Sequence, residues 1–130
     1  MRKFLFILIL LLISNPVFAA GNLNLKAENP VQLISHASQY AIIKGTISNI
    51  DIVDKSRSIF LNFGENFNTS FSAIIYGDAV SSFIMAGINE PAEYFKDKTV
   101  VLKGIIRISD GKPEIVINSP NQIKIITNKK

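Results

Sequence analysis

Apolar positions along this chain recur first at helical spacing and then at the spacing of strands. Pro30 suits the first turn of a helix, and the apolar positions after it predict a short N-terminal helix. Those positions are Val31, Leu33, Ile34, Ala37 and Tyr40. From residue 41 to residue 52 the period changes to two, which predicts one long strand. Gly45 lies within that strand and predicts a bulge where the strand bends.

The rest of the chain also alternates apolar and polar positions in short segments. We predict strands over residues 58–64, 71–76, 99–109 and 114–118, with a last extended piece over residues 122–127.

Turn and cap residues separate these segments. Asp78 is predicted to cap a helix that ends near Gly87, and a second helical turn is predicted over residues 91–95. Gly104 predicts a bend in the fourth strand, and residues 110–113 predict a tight hairpin turn.

The order of these elements defines a fold class. Three strands, a helix and two more strands, with a long bent first strand, predict a mainly β fold. Specifically, they predict a five-stranded Greek-key OB-fold barrel with a short N-terminal helix and a helix between strands 3 and 4.

A direct resemblance supports that fold class. The segments IIKGTISNI, SIFLNFG, FSAIIYGDAVSSF and KDKTVVLKGIIRISDGKPEIVINSPNQIKII carry it. They resemble the small OB-fold domains found alone or beside nucleases and helix-hairpin-helix modules in exported bacterial proteins. The resemblance covers about residues 35–126 and is most specific in GIIRISDGKPEIVINSPNQIKII.

The N-terminus has the features of a secretory signal peptide. A positive start at Arg2 and Lys3 precedes an apolar run over residues 4–13, which Pro16 follows. The run is about half the roughly 20 residues of a spanning helix, so we expect cleavage after Ala19, with an uncleaved anchor as the alternative. The chain has no cysteine, which excludes a lipoprotein anchor and disulfides. We therefore expect an extracytoplasmic protein, either periplasmic or secreted.

The predicted organisation has four parts. Residues 1–19 are the signal peptide, residues 20–34 a flexible lead-in and the start of the N-terminal helix, residues 35–127 the OB-fold domain, and residues 128–130 a basic tail.

The net charge changes when the signal peptide is removed. The whole chain has a formal charge of +4, but loss of Arg2 and Lys3 leaves 12 basic and 10 acidic residues, hence 12 − 10 = +2. A protein that binds nucleic acid by neutralising phosphates usually carries a larger basic excess. The global charge therefore argues against tight non-specific binding of nucleic acid.

Few residues suit catalysis or metal binding. His36 is the only histidine, and without thiols it cannot form a four-ligand zinc site, so we expect neither metal nor cofactor. A nuclease with converging carboxylates and arginines is a minor alternative. Its candidate residues are Asp51, Asp54, Arg57, Arg107 and Glu114.

The aromatic residues of the second and third strands divide between two faces. Alternation assigns one uniformly apolar side to the core. That side consists of Ile59, Leu61, Phe63, Phe71, Ala73 and Ile75. The other side carries Phe60, Asn62, Ile74 and Tyr76, on the surface where OB folds bind single strands or oligosaccharides.

This face defines the predicted binding site. Phe60 and Tyr76 are the rings available for stacking, Asn62 and Ile74 lie beside them, and Arg57 and Lys112 flank them as partners for phosphate or carboxylate. The opposing interpretation is that the N-terminal helix or a partner chain covers the face.

Two functions follow. The first is a non-enzymatic binding module for single-stranded nucleic acid. The alternative is an envelope interaction module that binds a protein, peptide or glycan on the same face. No oligomeric state follows from the sequence.

Overall fold

The computed structural model describes residues 23–66 and 69–126 of the chain. The predicted signal peptide, its cleavage after Ala19 and the basic tail over residues 128–130 lie outside the described residues.

The described part contains nine strands, three α-helices and one 3-10 turn. The strands are β1 (Asn24–Lys26), β2 (Tyr40–Thr46), β3 (Asn49–Val53), β4 (Ser58–Asn62), β5 (Ser72–Ile75), β6 (Thr99–Ile105), β7 (Arg107–Ser109), β8 (Lys112–Val116) and β9 (Ile123–Ile125). The helices are α1 (Pro30–Ser35), α2 (Gly77–Met85) and α3 (Pro91–Phe95), and the 3-10 turn is Pro120–Gln122. No helix in this part of the chain is long and apolar enough to cross a membrane.

The strands form two mixed sheets rather than one closed barrel. One sheet has the order β1-β2-β6-β9 and the other the order β3-β4-β5-β8-β7. The chain passes from the first sheet to the second twice, from β2 to β3 and from β6 to β7. In the second sheet β5 and β8 are parallel, whereas its other neighbouring strands are antiparallel. The mainly β fold predicted from the sequence is therefore confirmed, and the five-stranded Greek-key barrel stays a prediction.

One side of β4 and β5, with the residues next to them, was predicted to face the core, and this prediction is confirmed. All six residues of the predicted core side are buried, namely Ile59, Leu61, Phe63, Phe71, Ala73 and Ile75. The Phe63 and Phe71 rings pack with their centroids 5.3 Å apart. Because side chains alternate along a strand, this burial also fixes which residues of β4 face outward.

The helices cover the core and follow the predicted start and stop signals in most places. Pro30 begins α1, and the side chain of Asn29 accepts a hydrogen bond from the Gln32 N–H. Pro91 begins α3 as predicted. The predicted cap at Asp78 is wrong: α2 begins at Gly77, two residues earlier than a cap at Asp78 requires, and Asp78 lies in its first turn. Since β5 ends immediately before α2, extended Tyr76 occupies the cap position.

Both predicted glycine bends are wrong. The register of β2 and β6 is one to one through Gly45 and Gly104, so neither forms a bulge. Instead, the long strands are interrupted at residues 47–48 and at Ile106. A Cβ on Gly104 would lie 2.7 Å from Cδ1 of Ile115, which shows that this glycine permits close packing of two strands.

The remaining differences lie near the N-terminus. The lead-in predicted as flexible contains β1, which pairs in parallel with β2 because Leu25 and Ala27 are buried in the core. Tyr40, predicted to end the helical stripe, is instead the first residue of β2. The hairpin turn is confirmed, with left-handed φ angles of 52° at Asp110 and 78° at Gly111.

Candidate ligand-binding face of the second sheet

The outer side of β4 and β5 brings together four of the six predicted site residues. Phe60 lies opposite Ile74, and Asn62 lies opposite Ser72. Tyr76 follows β5 immediately and lies two residues beyond Ile74. Because directly opposed residues and residues two apart share a face, these side chains lie on one surface.

The four residues differ in how much of each side chain solvent can reach. Tyr76 is 38% exposed and Phe60 is half-buried. Ile74 is 2% exposed and Asn62 is 6% exposed, so both contribute mainly to the base of this surface. The two rings are therefore the members of the set that a ligand could contact over a substantial area. Ligand binding by any of them stays a prediction.

A chain of hydrogen bonds crosses the strands beside Phe60. The Ser72 hydroxyl donates to Oδ1 of Asn62 at 2.6 Å, and Nδ2 of Asn62 donates to Oδ2 of Asp51 at 3.0 Å. Nδ2 of Asn49 lies 3.4 Å from the same carboxylate oxygen. These bonds satisfy the hydrogen-bonding groups of the buried Asn62 amide. They also fix the Asp51 carboxylate at the exposed end of this row of hydrogen bonds.

Tyr76 is positioned by a residue from the neighbouring hairpin. Nη2 of Arg107 donates to the Tyr76 hydroxyl at 2.6 Å, and the guanidinium carbon lies 6.0 Å from the centre of the ring. Nε and Nη2 of Arg107 also contact Oε2 of Glu114, at 2.7 Å and 2.6 Å. Glu114 is only 7% exposed, so Arg107 balances a buried carboxylate while it orients the ring.

The environment of Arg107 keeps it charged. The hydrogen bond with the Tyr76 hydroxyl is the main cause that raises the pKa of Arg107 above its ordinary value. Partial burial opposes this shift and the Glu114 carboxylate reinforces it. Arginine is protonated at any pH where the protein works, and the charge of Arg107 beside Tyr76 is paired with the Glu114 carboxylate.

The two predicted flanking cations lie at opposite ends of the face. Arg57 is exposed in the turn before β4, and its Cβ would lie 3.3 Å from a Cβ placed on Gly77, next to Tyr76. Lys112 is half-buried at the start of β8, two residues before Glu114. Since β5 and β8 are parallel, Lys112 lies towards the start of β5, and Tyr76 at its end. The two cations therefore lie on either side of the rings, and contact of either one with a ligand stays a prediction.

Sequence reasoning missed two parts of this surface. Arg107 was considered only for a nuclease, although it and Glu114 are equally spaced about the hairpin turn and therefore face each other. Tyr40 and Ile105 are also opposed, and they line a groove of about 400 Å³ together with Arg107 and Val116. Tyr40 is 56% exposed. If the alternating pattern of the first strand had been started at residue 40 rather than 41, Tyr40 would have been identified as an exposed strand residue.

The candidate residues for a nuclease do not converge. Arg107 and Glu114 form an ion pair with each other. Asp51 accepts a hydrogen bond from the Asn62 side chain. Asp54 and Arg57 lie in the turn before β4. Within residues 23–66 and 69–126, no three side chains of His, Cys, Asp or Glu lie close enough to hold a metal ion. His36 follows the end of α1 and is half-buried.

Comparisons with known proteins bear on the fold. No family model matches the chain, and no curated protein matches it. An aspartyl-tRNA synthetase from Entamoeba histolytica aligns with 90% of the chain and 27% of its own, at 11% identity and a TM-score of 0.51. Yeast Stn1 and Ten1 align with 85% of the chain and 65% of theirs, also at 11% identity and a TM-score of 0.51. At this identity the likeness shows the fold alone, and it supports an OB-like fold.

Proposed function

We propose that the chain is an exported, non-enzymatic OB-fold module that binds single-stranded nucleic acid on the face of Phe60 and Tyr76. In this proposal the two sheets are the halves of a five-stranded Greek-key barrel. The joined segments β2–β3 and β6–β7 would be its first and fourth strands, and β4, β5 and β8 the second, third and fifth. The parallel pairing of β5 and β8 supports this assignment.

The observation that carries the proposal is the shared surface of the two rings. Phe60 and Tyr76 lie on the same side of adjacent strands, and Arg107 holds the Tyr76 ring in place. A ring held before binding loses little conformational freedom when a base stacks on it. Stacking requires no particular base, since every base has a π-face, so we expect tolerant recognition of sequence.

The flanking cations support a strand that crosses the sheet. Arg57 at one end and Lys112 at the other could each meet a phosphate while the bases lie on the rings between them. The net charge of the chain without residues 1–19 is small, so we expect only a modest phosphate contribution and a preference for unpaired strands, whose bases are accessible.

The main competing function is binding of a protein, peptide or glycan on the same face. The Asp51 carboxylate favours this alternative, because Asp51 lies opposite Phe60 and would repel a phosphate there. Its carboxylate oxygen atoms, held in place by Nδ2 of Asn62, offer hydrogen-bond acceptors that suit hydroxyl or amide groups.

Single-residue variants should separate stacking from folding. Phe60→Ala and Tyr76→Ala are each expected to weaken binding of a fluorescent oligothymidylate of about ten nucleotides by about 1–3 kcal/mol. Tyr76→Phe keeps the ring and should retain most of the affinity. Tyr94→Ala, an exposed tyrosine of α3, is the matched control and should leave affinity unchanged. Fluorescence anisotropy would measure all four.

The same titrations at several salt concentrations distinguish the two functions. A complex with phosphate contacts must weaken as salt rises, because counterions are released on binding. Binding that is absent in the native protein, or that Phe60→Ala and Tyr76→Ala leave unchanged, would contradict the nucleic-acid proposal and favour the protein, peptide or glycan alternative.

Export is a separate part of the proposal. We expect the product recovered from the extracytoplasmic fraction to begin at or near Ala20, because Ala19 ends a small-residue cleavage site. Intact mass spectrometry of that fraction measures this directly. A mass that retains residues 1–19 would contradict it.

A further inference from the structure

The third strand is an edge strand with exposed apolar side chains. β3 is the outermost strand of the second sheet, and its pairing partner is β4. Alternate residues of an edge strand direct their N–H and C=O groups away from the sheet. Ile52 is 55% exposed on this strand, and Val53 is exposed as well. An edge strand of this kind is a template for pairing with another extended chain.

Helix α3 forms a second wall beside this edge and turns it into a groove. One hollow of about 290 Å³ lies between Asn49 and Ile50 of β3 and the segment that contains Ala92 and Glu93. A second hollow of about 370 Å³ continues past Ile52 towards α2. The two hollows share Ile52 and Ala92, so they adjoin along the same edge, and together they are called the groove here.

Part of the lining of the second hollow, at the end of the edge strand, is apolar, and this part is called the pocket here. Ile52, Val80 and Ile84 line it together with Pro91 and Ala92. Ile84 is exposed, and Val80 is half-buried. An aliphatic side chain of a bound segment would fill this pocket and remove apolar surface from water on both partners.

The charged residues around the groove indicate which kind of ligand it can bind. Four acidic and two basic side chains line the two hollows, which leaves a local excess of negative charge. The acidic residues are Asp54, Glu90, Glu93 and Asp97, and the basic residues are Arg57 and Lys96. An acidic groove repels a nucleic-acid backbone, whereas it attracts a peptide with basic residues.

A second copy of the chain fits this edge poorly. Antiparallel pairing of β3 with its own copy over all five residues would be centred on Asp51, the middle residue of the strand. Each Asp51 would then lie directly opposite the other, and like charges in opposed positions destabilise a sheet. The edge therefore favours a different polypeptide.

We propose that the groove between β3 and α3 binds an extended segment of a partner protein as an added β-strand, with an aliphatic residue in the Ile52 and Ile84 pocket and basic residues beside it. Main-chain hydrogen bonds to the free edge would supply part of the affinity, and the pocket and the acidic rim would supply the specificity. This groove contains neither Phe60 nor Tyr76 and shares only Arg57 with the residues proposed to bind nucleic acid, so its test does not depend on that proposal.

The test uses a blocked synthetic peptide of alternating lysine and valine residues, with a glutamate–valine peptide of the same length as its charge control. Amide chemical shifts of the folded chain are followed during titration. We expect shifts concentrated in Asn49–Val53 and Pro91–Phe95, with slower hydrogen exchange in β3. The glutamate–valine peptide should bind more weakly, because the acidic rim repels it.

Variants assign the binding to this groove. Ile52→Lys should weaken the lysine–valine peptide about tenfold or more, because it removes apolar contact and adds a like charge. Ile108→Lys is the matched control, an exposed isoleucine on β7 at the other edge of the same sheet, and should have little effect. Glu93→Lys leaves three acidic and three basic side chains around the groove, so it should abolish the preference between the two peptides.

Several results would overturn the proposal. They are unchanged affinity in Ile52→Lys, an equal loss in Ile108→Lys, or shifts confined to β4 and β5. Sedimentation that shows a dimer, together with β3 amides protected in the absence of peptide, would assign the edge to a second copy instead and would equally overturn the peptide proposal.

Discussion

Leu61→Ala and Phe71→Ala are each expected to lower the free energy of unfolding by about 2–5 kcal/mol. Both side chains are fully buried, Leu61 in the core side of β4 and Phe71 against the ring of Phe63. Truncation removes their transfer free energy and leaves a cavity that the surrounding strands fill only in part. Small domains are stabilised by roughly 5–15 kcal/mol in total, so these variants should be close to unfolding at 37 °C.

Phe60→Ala is the control within the same strand. Phe60 alternates with the core residues and is only half-buried on the outer side, so its truncation should cost much less than Leu61→Ala. Urea denaturation followed by circular dichroism measures all three variants. If Phe60→Ala destabilises the domain as much as Leu61→Ala, the outer face is covered in solution, and the stacking surface for nucleic acid does not exist.

The core side of β4 and β5 could be predicted because only one of the two faces is uniformly apolar. A period of two leaves two possible faces, and the uniformly apolar one, with Leu61 and Phe71, must be the core. Pro30 and Pro91 likewise marked the first turns of α1 and α3, since proline fixes φ and needs no amide donor there. Local chemistry decided each of these features.

The partner of Tyr76 could not be read from local chemistry. Arg107 reaches that ring because β7 pairs with β8 and β8 lies beside β5, which is a property of the sheet order. The cross-strand chain from Ser72 to Asp51 depends on register in the same way. Residues far apart in sequence are joined only when the strands pair, so single-sequence reasoning proposed the face but not the contacts that shape it.

The roles of the strand glycines were misjudged for a related reason. A glycine inside an alternating segment is compatible with a bulge and with close approach of another backbone, and sequence alone does not separate the two. In the structure, Ala27 lies directly over Gly45, because the segment after β1 packs along β2. That segment was predicted to be flexible, so the neighbour that requires a glycine was not considered.

Gly45→Ala is therefore expected to destabilise the domain by about 1–3 kcal/mol, the range for overpacking. The new Cβ would overlap Cβ of Ala27 and lie 2.9 Å from Oε2 of Glu28 and 3.1 Å from Cδ2 of Phe63. The same Glu28 oxygen accepts a hydrogen bond from the Thr46 N–H at 2.9 Å, so it is not free to move away without losing that bond. Thermal unfolding measures the loss.

Hydrogen exchange gives this prediction a second measurement. The Ala27 N–H donates to the Lys44 carbonyl at 2.8 Å, and the crowding should push β1 off β2 and expose that amide. Gly111→Asn is the control, because Gly111 has open space around it and asparagine tolerates its left-handed φ.

A compensating change tests the cause of the destabilisation. Adding Ala27→Gly to Gly45→Ala removes the closest overlap, so the pair should lose less stability than the sum of the two single variants. A purely conformational role for Gly45, as at a bulge, would give additive losses and leave the Ala27 amide protected. Coupling between the two positions is expected instead, because the glycine makes room for β1 and the chain that follows it.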